Sequence, residues 1–413
     1  MSEGPMRVFA IVLQLGTLLR AGPVTAAEPG GRSQPESSPP RVVLQDVSGQ
    51  KHCGTLLSLT DEKLELRTGS GSTRHWPLRE VLQLQFAPGR GDRRSAHADT
   101  TAPPLVLLAN GDRLRARAVA IRDERLVARW ATYRDWPPLT MPLETVRACL
   151  LRRPTFPQRH RSVSAGIAAA AIPQANNADR IVLVNGDRMD GELSQWTEQE
   201  LQIETAVGPA TVAASRVVAV AMNPEWTSFP SEPARRAILR LSDGSRLTVH
   251  ELTLADGSSG ESLRAVATCG TPLVVPLEAV ASLQFLGGRA VYLSDMTPVE
   301  YSHTPYLAGH RPLQKDANVL GGPLRLRGRE YAKGLGMPSR SQVTFELSEQ
   351  YERFRAVVGI DDSAGERGGV IFVIRAEGRT LWKSGPLGRI SAPQSTGWVD
   401  VSAVKRLTLM VDF

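Results

Sequence analysis

Asp361 and Asp362 are adjacent carboxylates in a glycine-flanked turn, with Glu366 close behind. Hard cations take several oxygen ligands, so this trio reads as a calcium site or as a set of acceptors for hydroxyl groups. The plainer reading is a turn in which one Asp caps backbone N–H groups. Neighbouring residues of an extended chain face opposite sides, so both Asp side chains reach one ligand only where the turn bends sharply. A second group lies in residues 298–311, where Tyr301, His303, Tyr306 and His310 are interleaved. Aromatic rings can stack on the flat apolar face of a ligand, and imidazoles can donate hydrogen bonds to its polar groups. Tyr301, His303 and Tyr306 are therefore candidate binding residues. Tyr331, Trp382 and Trp398 complete the aromatic supply, with Trp382 expected in the core of a strand.

The elements that must position these residues are strands. Residues 343–347, 354–358, 370–374 and 407–411 are short apolar or alternating runs separated by turn signals, and Glu377-Gly378 is a hairpin turn ahead of Thr380-Leu-Trp382. Alternation of this kind is the pattern of a β-sandwich. Helical periodicity is scarce throughout, so the whole chain is expected to be all-β.

Upstream, the chain repeats itself. Asn110-Gly-Asp-Arg113, Asn185-Gly-Asp-Arg188 and Ser242-Asp-Gly-Ser-Arg246 each follow a short apolar run. Asn-Gly and Asp-Gly between apolar runs are the strongest short hairpin signal, because both central residues need positive φ. A second mark follows each turn: Met141-Pro-Leu143, a degenerate Val212-Ala-Ala214, and Val275-Pro-Leu277. The first segment fits more loosely, with Ser48-Gly49 and Trp76-Pro-Leu78. Four β-units result, at 41–88, 104–152, 179–224 and 235–287, each a small barrel or rolled sheet. A unit of this size has a thin core, so pairing with a neighbour is expected. The connector 153–178 is the longer one, which suggests pairs 41–152 and 179–287.

Residues 331–341 read Tyr331-Ala-Lys-Gly-Leu-Gly-Met-Pro-Ser-Arg-Ser341, and Gly359-Ile-Asp-Asp362 and Val399-Asp-Val-Ser402 follow. With the Leu293-Ser-Asp295 opening, these runs resemble the NPCBM family of carbohydrate-binding modules over residues 290–413. The resemblance implies a galactose-binding-like, jelly-roll-like sandwich with its site in loops at one edge. Lys333 and Arg340 lie within the matching run and join the candidate sugar contacts, whereas Gly334 and Gly336 serve backbone geometry. Pro338 stands where family members often carry His, and members continue past the position of Phe413 through an acidic loop and a closing strand. A sandwich without that strand is expected to expose an unpaired edge.

At the N-terminus Arg7 precedes an apolar run, 8–19, and Val24-Thr25-Ala26 offers small residues for cleavage. Residues 1–27 read as a secretory signal and 28–40 as a linker. The apolar run is too short to span a bilayer comfortably, and no transmembrane span is expected in the mature chain. Cys53, Cys149 and Cys269 form neither a metal-ligand nor a disulfide spacing and read as small buried apolar residues. The net charge of +7 over 413 residues is spread along the chain rather than gathered in an arm, which argues against a dedicated nucleic-acid binder. No nucleophile elbow, HExxH, P-loop or dinucleotide fingerprint occurs. The sequence therefore points to a secreted, periplasmic or cell-envelope protein that binds carbohydrate without catalysis. Its β-repeats would serve as spacer or protein-contact platform. The alternative is an envelope-associated structural protein whose sandwich no longer binds sugar.

Overall fold

Each repeat turns its opening hairpin on a left-handed glycine. In the computed structural model Gly49, Gly111, Gly186 and Gly244 have φ of 85°, 87°, 92° and 92°, a region where a Cβ clashes with the backbone and glycine is free. The structure describes residues 8–12, 41–69, 71–87, 104–152, 177–257, 260–305, 309–347, 351–364 and 369–412. They fall into two compact bodies, residues 34–290 and residues 291–413 together with the N-terminal stretch.

In the first body the four units share one plan. The first runs through strands Arg41–Asp46, Lys51–Leu59, Lys63–Thr68 and Thr73–Pro77, a 3-10 turn Leu78–Glu80, and a closing strand Val81–Phe86. The fourth runs through Arg236–Leu241, Arg246–Gly257, Gly260–Ala267, Pro272–Pro276, the turn Leu277–Ala279 and the closing strand Val280–Leu286. The proline marks sit where the fourth strand enters the 3-10 turn. Pro77, Pro142 and Pro276 have φ of −59°, −56° and −56°, which the pyrrolidine ring sets in advance. Ala213 adopts φ −59° at the degenerate mark without that help. In every unit the closing strand returns to pair with the first strand. The ladder between second and third strands carries a register shift in every unit, the bulge that lets so short a sheet roll up.

The units join through their closing strands, in an order that differs from the pairs suggested by connector length. Val280–Leu286 pairs Val81–Phe86 through Leu283↔Leu84, so the first unit joins the fourth. Val146–Leu150 pairs Val217–Ala221 through Cys149↔Val220, so the second joins the third. Each closing strand has one edge left over after pairing its own first strand, and two such edges satisfy one another. A single core then runs through all four units, including Leu44, Leu84, Trp130, Trp196, Leu239 and Leu283. Cys149 and Cys269 are buried in it, whereas Cys53 is exposed, contrary to the expectation of three buried thiols.

In the second body two antiparallel sheets make the sandwich. One is built on Glu300–His303, Ser341–Glu346, Arg406–Asp412, Gly369–Ala376 and Arg379–Lys383, with Leu387–Gly388 paired to Gly369–Ala376. Val343, Phe345, Phe372, Ile374, Leu407 and Leu409 alternate inward from it. The other runs Gln314–Lys315, Leu335–Pro338, Val8–Val12, Val357–Gly359, Gln394–Ser395. Val8–Val12, part of the apolar run read as a leader, is thus a middle strand here, antiparallel to Leu335–Pro338 on one side and to Val357–Gly359 on the other. The stretch expected as one strand over 354–358 divides into Arg353–Phe354, which pairs Val399–Asp400, and Val357–Gly359. Trp382 lies half-buried on Arg379–Lys383.

Candidate functional site

The paired carboxylates form a lock between two turns. Asp361 is 1% exposed. Its Oδ1 accepts from Asn318 Nδ2 at 3.1 Å, the Ser363 amide at 2.9 Å and Ser363 Oγ at 2.5 Å, and its Oδ2 accepts the Arg325 amide at 2.8 Å. Burial pushes its pKa up, against hydrogen bonds that favour the charged form. Asp362 takes the Arg327 amide at 2.9 Å and the Gly328 amide at 2.8 Å. Those two donors are the left-handed tip of the hairpin Leu324–Leu326/Arg329–Tyr331, with φ of 53° and 78°. Each of the four carboxylate oxygens therefore holds a backbone or side-chain donor of the protein. Glu366, the third residue of the calcium reading, lies outside the described residues. Among the described residues no group of three or more His, Cys, Asp and Glu stands together as a cation shell.

Lys333 is likewise structural in its contacts. It is 6% exposed, and its Nζ lies 2.5 Å from both Asp295 Oδ1 and Asp316 Oδ2. Asp316 also accepts the Gly334 amide at 2.9 Å. A buried ammonium between two carboxylates has its charge met within the fold. Arg340 is exposed, at φ 55° in the turn between Leu335–Pro338 and Ser341–Glu346. Pro338, the departure from the family pattern, is buried in its strand.

Tyr301 and His303 do come together, on one edge strand. Tyr301 Oη donates to the Arg311 carbonyl at 2.8 Å, and burial pushes its pKa up to about 12. His303 Nδ1 accepts the Arg311 amide at 3.1 Å, and burial, with His310 and Arg311 nearby, holds its pKa below the ordinary value. His303 is therefore neutral at physiological pH and carries its proton on Nε2. The exposed His310 ring lies 6.2 Å from that of Tyr301 and 5.5 Å from that of His303. Tyr306 lies outside the described residues.

A third locus was only half visible in the sequence. Trp398 was one of several aromatics, and neither Arg353 nor Arg355 was singled out. Gly397, at φ 64°, turns the chain into Val399–Asp400, whose ladder sets Phe354 opposite Val399 and Arg353 opposite Asp400. Phe354 and Val399 face inward and are buried; Arg353, Trp398 and Asp400 are exposed and Arg355 partly so. Trp398 remains 39% exposed. The guanidinium carbons of Arg353 and Arg355 lie 5.2 Å and 5.7 Å from its ring centre, within cation–π range. The available signal was the alternation Arg353-Phe-Arg355, which puts both cations on one face.

The NPCBM/NEW2 domain model matches residues 289–413. Over 208 residues the chain is 29% identical to a protein of Renibacterium salmoninarum named "Putative endo-alpha-N-acetylgalactosaminidase"; the match takes in 47% of this chain and 13% of that protein. The chain thus spans a small part of that relative. Among solved structures it is similar to CBM51 from Clostridium perfringens GH95 in complex with methyl-galactose, at 25% identity over 30% of this chain and 86% of that one, with a TM-score of 0.27. It is also similar to CBM51-2 with INT domains from Clostridium perfringens ZmpB, in complex with GlcNAc, at 22% identity over 39% of this chain and 33% of that one, TM-score 0.26. Residues 289–413, whose motifs and two-sheet architecture have been described above, are an NPCBM/NEW2 domain.

Proposed function

We propose that this chain is a non-catalytic carbohydrate-binding protein of the cell exterior or envelope, with its glycan held on the second body and the four β-units acting as spacer or protein-contact platform. The observation that carries the reading is Trp398, a partly exposed indole with the guanidinium groups of Arg353 and Arg355 over its ring, on a domain of a carbohydrate-binding family. The part of the indole that the two guanidiniums leave exposed offers apolar area to a pyranose ring, and their N–H donors can read hydroxyls. The absence of catalysis is supported by where the acids are committed. Asp295 and Asp316 hold Lys333, while Asp361 and Asp362 hold backbone amides, which leaves none of these four placed as an acid or base across a bond. Among the described residues no helix is long and apolar enough to cross a membrane.

The test is a glycan array probed with the full chain, beside Trp398→Ala. The expected result is binding to a defined glycan set that the variant weakens by roughly tenfold or more, the equivalent of about 1.4 kcal/mol. Binding that survives in Trp398→Ala would move the site to the Tyr301–His303 edge, where Tyr301→Ala is the matching variant. A folded chain that binds no glycan would end the carbohydrate reading.

A further inference from the structure

Two cations share one exposed ring. By the ladder register Arg353 and Asp400 stand opposite one another on the outer face of a short pair of strands that Phe354 and Val399 anchor from within, and the partly exposed Arg355 and exposed Trp398 flank that pair. Arg355 Nε donates to Ser395 Oγ at 3.4 Å, which steadies its fork and leaves both terminal nitrogens outside that bond. Among the described residues no carboxylate lies within ion-pair distance of Arg353 or Arg355. Asp400, the acid on this face, is turned to its own loop: its Oδ1 accepts the Ser402 amide at 2.9 Å and also the Ser402 hydroxyl. A guanidinium against an indole keeps its N–H donors in the guanidinium plane, free to take a planar anion in bidentate fashion.

We propose that this patch binds an acidic saccharide, with a pyranose ring against Trp398 and its carboxylate or sulfate held by Arg353 and Arg355. The inference rests on the carbohydrate-binding reading and adds the ligand's charge to it. Neutral hydroxyls can accept from these donors as well, but only a carboxylate or sulfate also meets the charge of the pair, and a bare anion would make no use of the indole.

The experiment uses the full chain on an array of matched glycans: neutral, sialylated, uronic-acid-terminated and sulfated versions of the same cores. Wild type is compared with Arg353→Gln/Arg355→Gln and with Arg353→Lys/Arg355→Lys, each checked for an unchanged melting curve. Acidic glycans are expected to bind about tenfold or more tighter than their neutral partners. The Gln pair should lose that preference, and the Lys pair, which keeps the charge but not the fork, should lose most of it. Raising NaCl from about 50 to 300 mM should shrink the preference several-fold without changing neutral binding. Sialylated and uronic-acid arms against the sulfated arm tell carboxylate from sulfate. Equal binding of neutral and acidic partners would overturn the inference and leave the carbohydrate reading standing. A preference that survives the Gln pair would overturn it too, by placing the anion elsewhere. Should the Gln pair misfold, the Lys pair and the salt series decide alone. An array silent for every glycan would remove both readings together.

Discussion

At the scale of single residues, what separates a ligand contact from a structural bond is where the polar atoms already point. Asp361, Asp362 and Lys333 were attractive in sequence because charged groups clustered around a recognisable motif. Their partners lie far off in the chain: Arg325 is 36 residues from Asp361, and Asp295 is 38 from Lys333. No local pattern reports such distances, so the commitment of these groups to the fold was not legible. Tyr301 was legible as a candidate aromatic within residues 298–311, but its place on the edge strand Glu300–His303 and its hydroxyl bond to Arg311 were not. That bond yields a prediction. With its pKa pushed up to about 12 by burial, Tyr301 stays neutral in the fold where an unfolded tyrosine ionises near pH 10. The folded state then resists losing the proton, so this residue draws stability away as pH rises from 10 through 12. A titration of phenolate absorbance should show a late component near pH 12 that Tyr301→Phe reduces, alongside the contribution of Tyr331, whose pKa burial also raises. A phase at pH 10 for every tyrosine would contradict the buried hydroxyl.

At the scale of elements, the repeat marks in the sequence correspond to backbone requirements. The four left-handed glycines and the prolines ahead of the 3-10 turns occur at matching points of the units because those conformations are costly for other residues. Other requirements leave no motif. Gly191, on the second strand of the third unit, passes so close to the facing strand that a Cβ there would sit 2.1 Å from the Glu204 carbonyl oxygen. Gly54 holds the matching place in the first unit, with the Arg67 oxygen 2.6 Å from its would-be Cβ. An isolated glycine in a strand hints at such an approach, yet only the folded ladder shows what it approaches. Gly191→Ala is expected to destabilise the first body by about 3 kcal/mol through backbone displacement, read as a lower urea midpoint. Glycan binding by the second body should be unchanged in native buffer. A substitution without effect on the midpoint would show that the two strands separate more easily than this geometry implies.

At the scale of the molecule, the number and extent of the β-units were visible, but their partners were not. Connector length says which units can reach one another. It does not say which exposed edges match, and here the matching edges are those of the first and fourth units and of the second and third. The arrangement can be tested by cross-linking. Gln85 and Ser282 are directly opposite in the ladder between closing strands, the spacing at which a cross-strand disulfide can form. In a Cys53→Ser background, Gln85→Cys/Ser282→Cys should close under mild oxidation into a faster-migrating species on a non-reducing gel. Failure to close in the folded chain would rule out this pairing.

The nesting of the inner pair within the outer pair also sets an order in time. The second and third units are neighbours along the chain and can dock as soon as both leave the ribosome. The first unit cannot, since its matching edge at Val280–Leu286 emerges roughly 200 residues after its own at Val81–Phe86, about 10–40 s later at ordinary rates of synthesis. Through that interval the first unit waits with an open strand edge, and the slowest-made contact of the first body is the one that closes it.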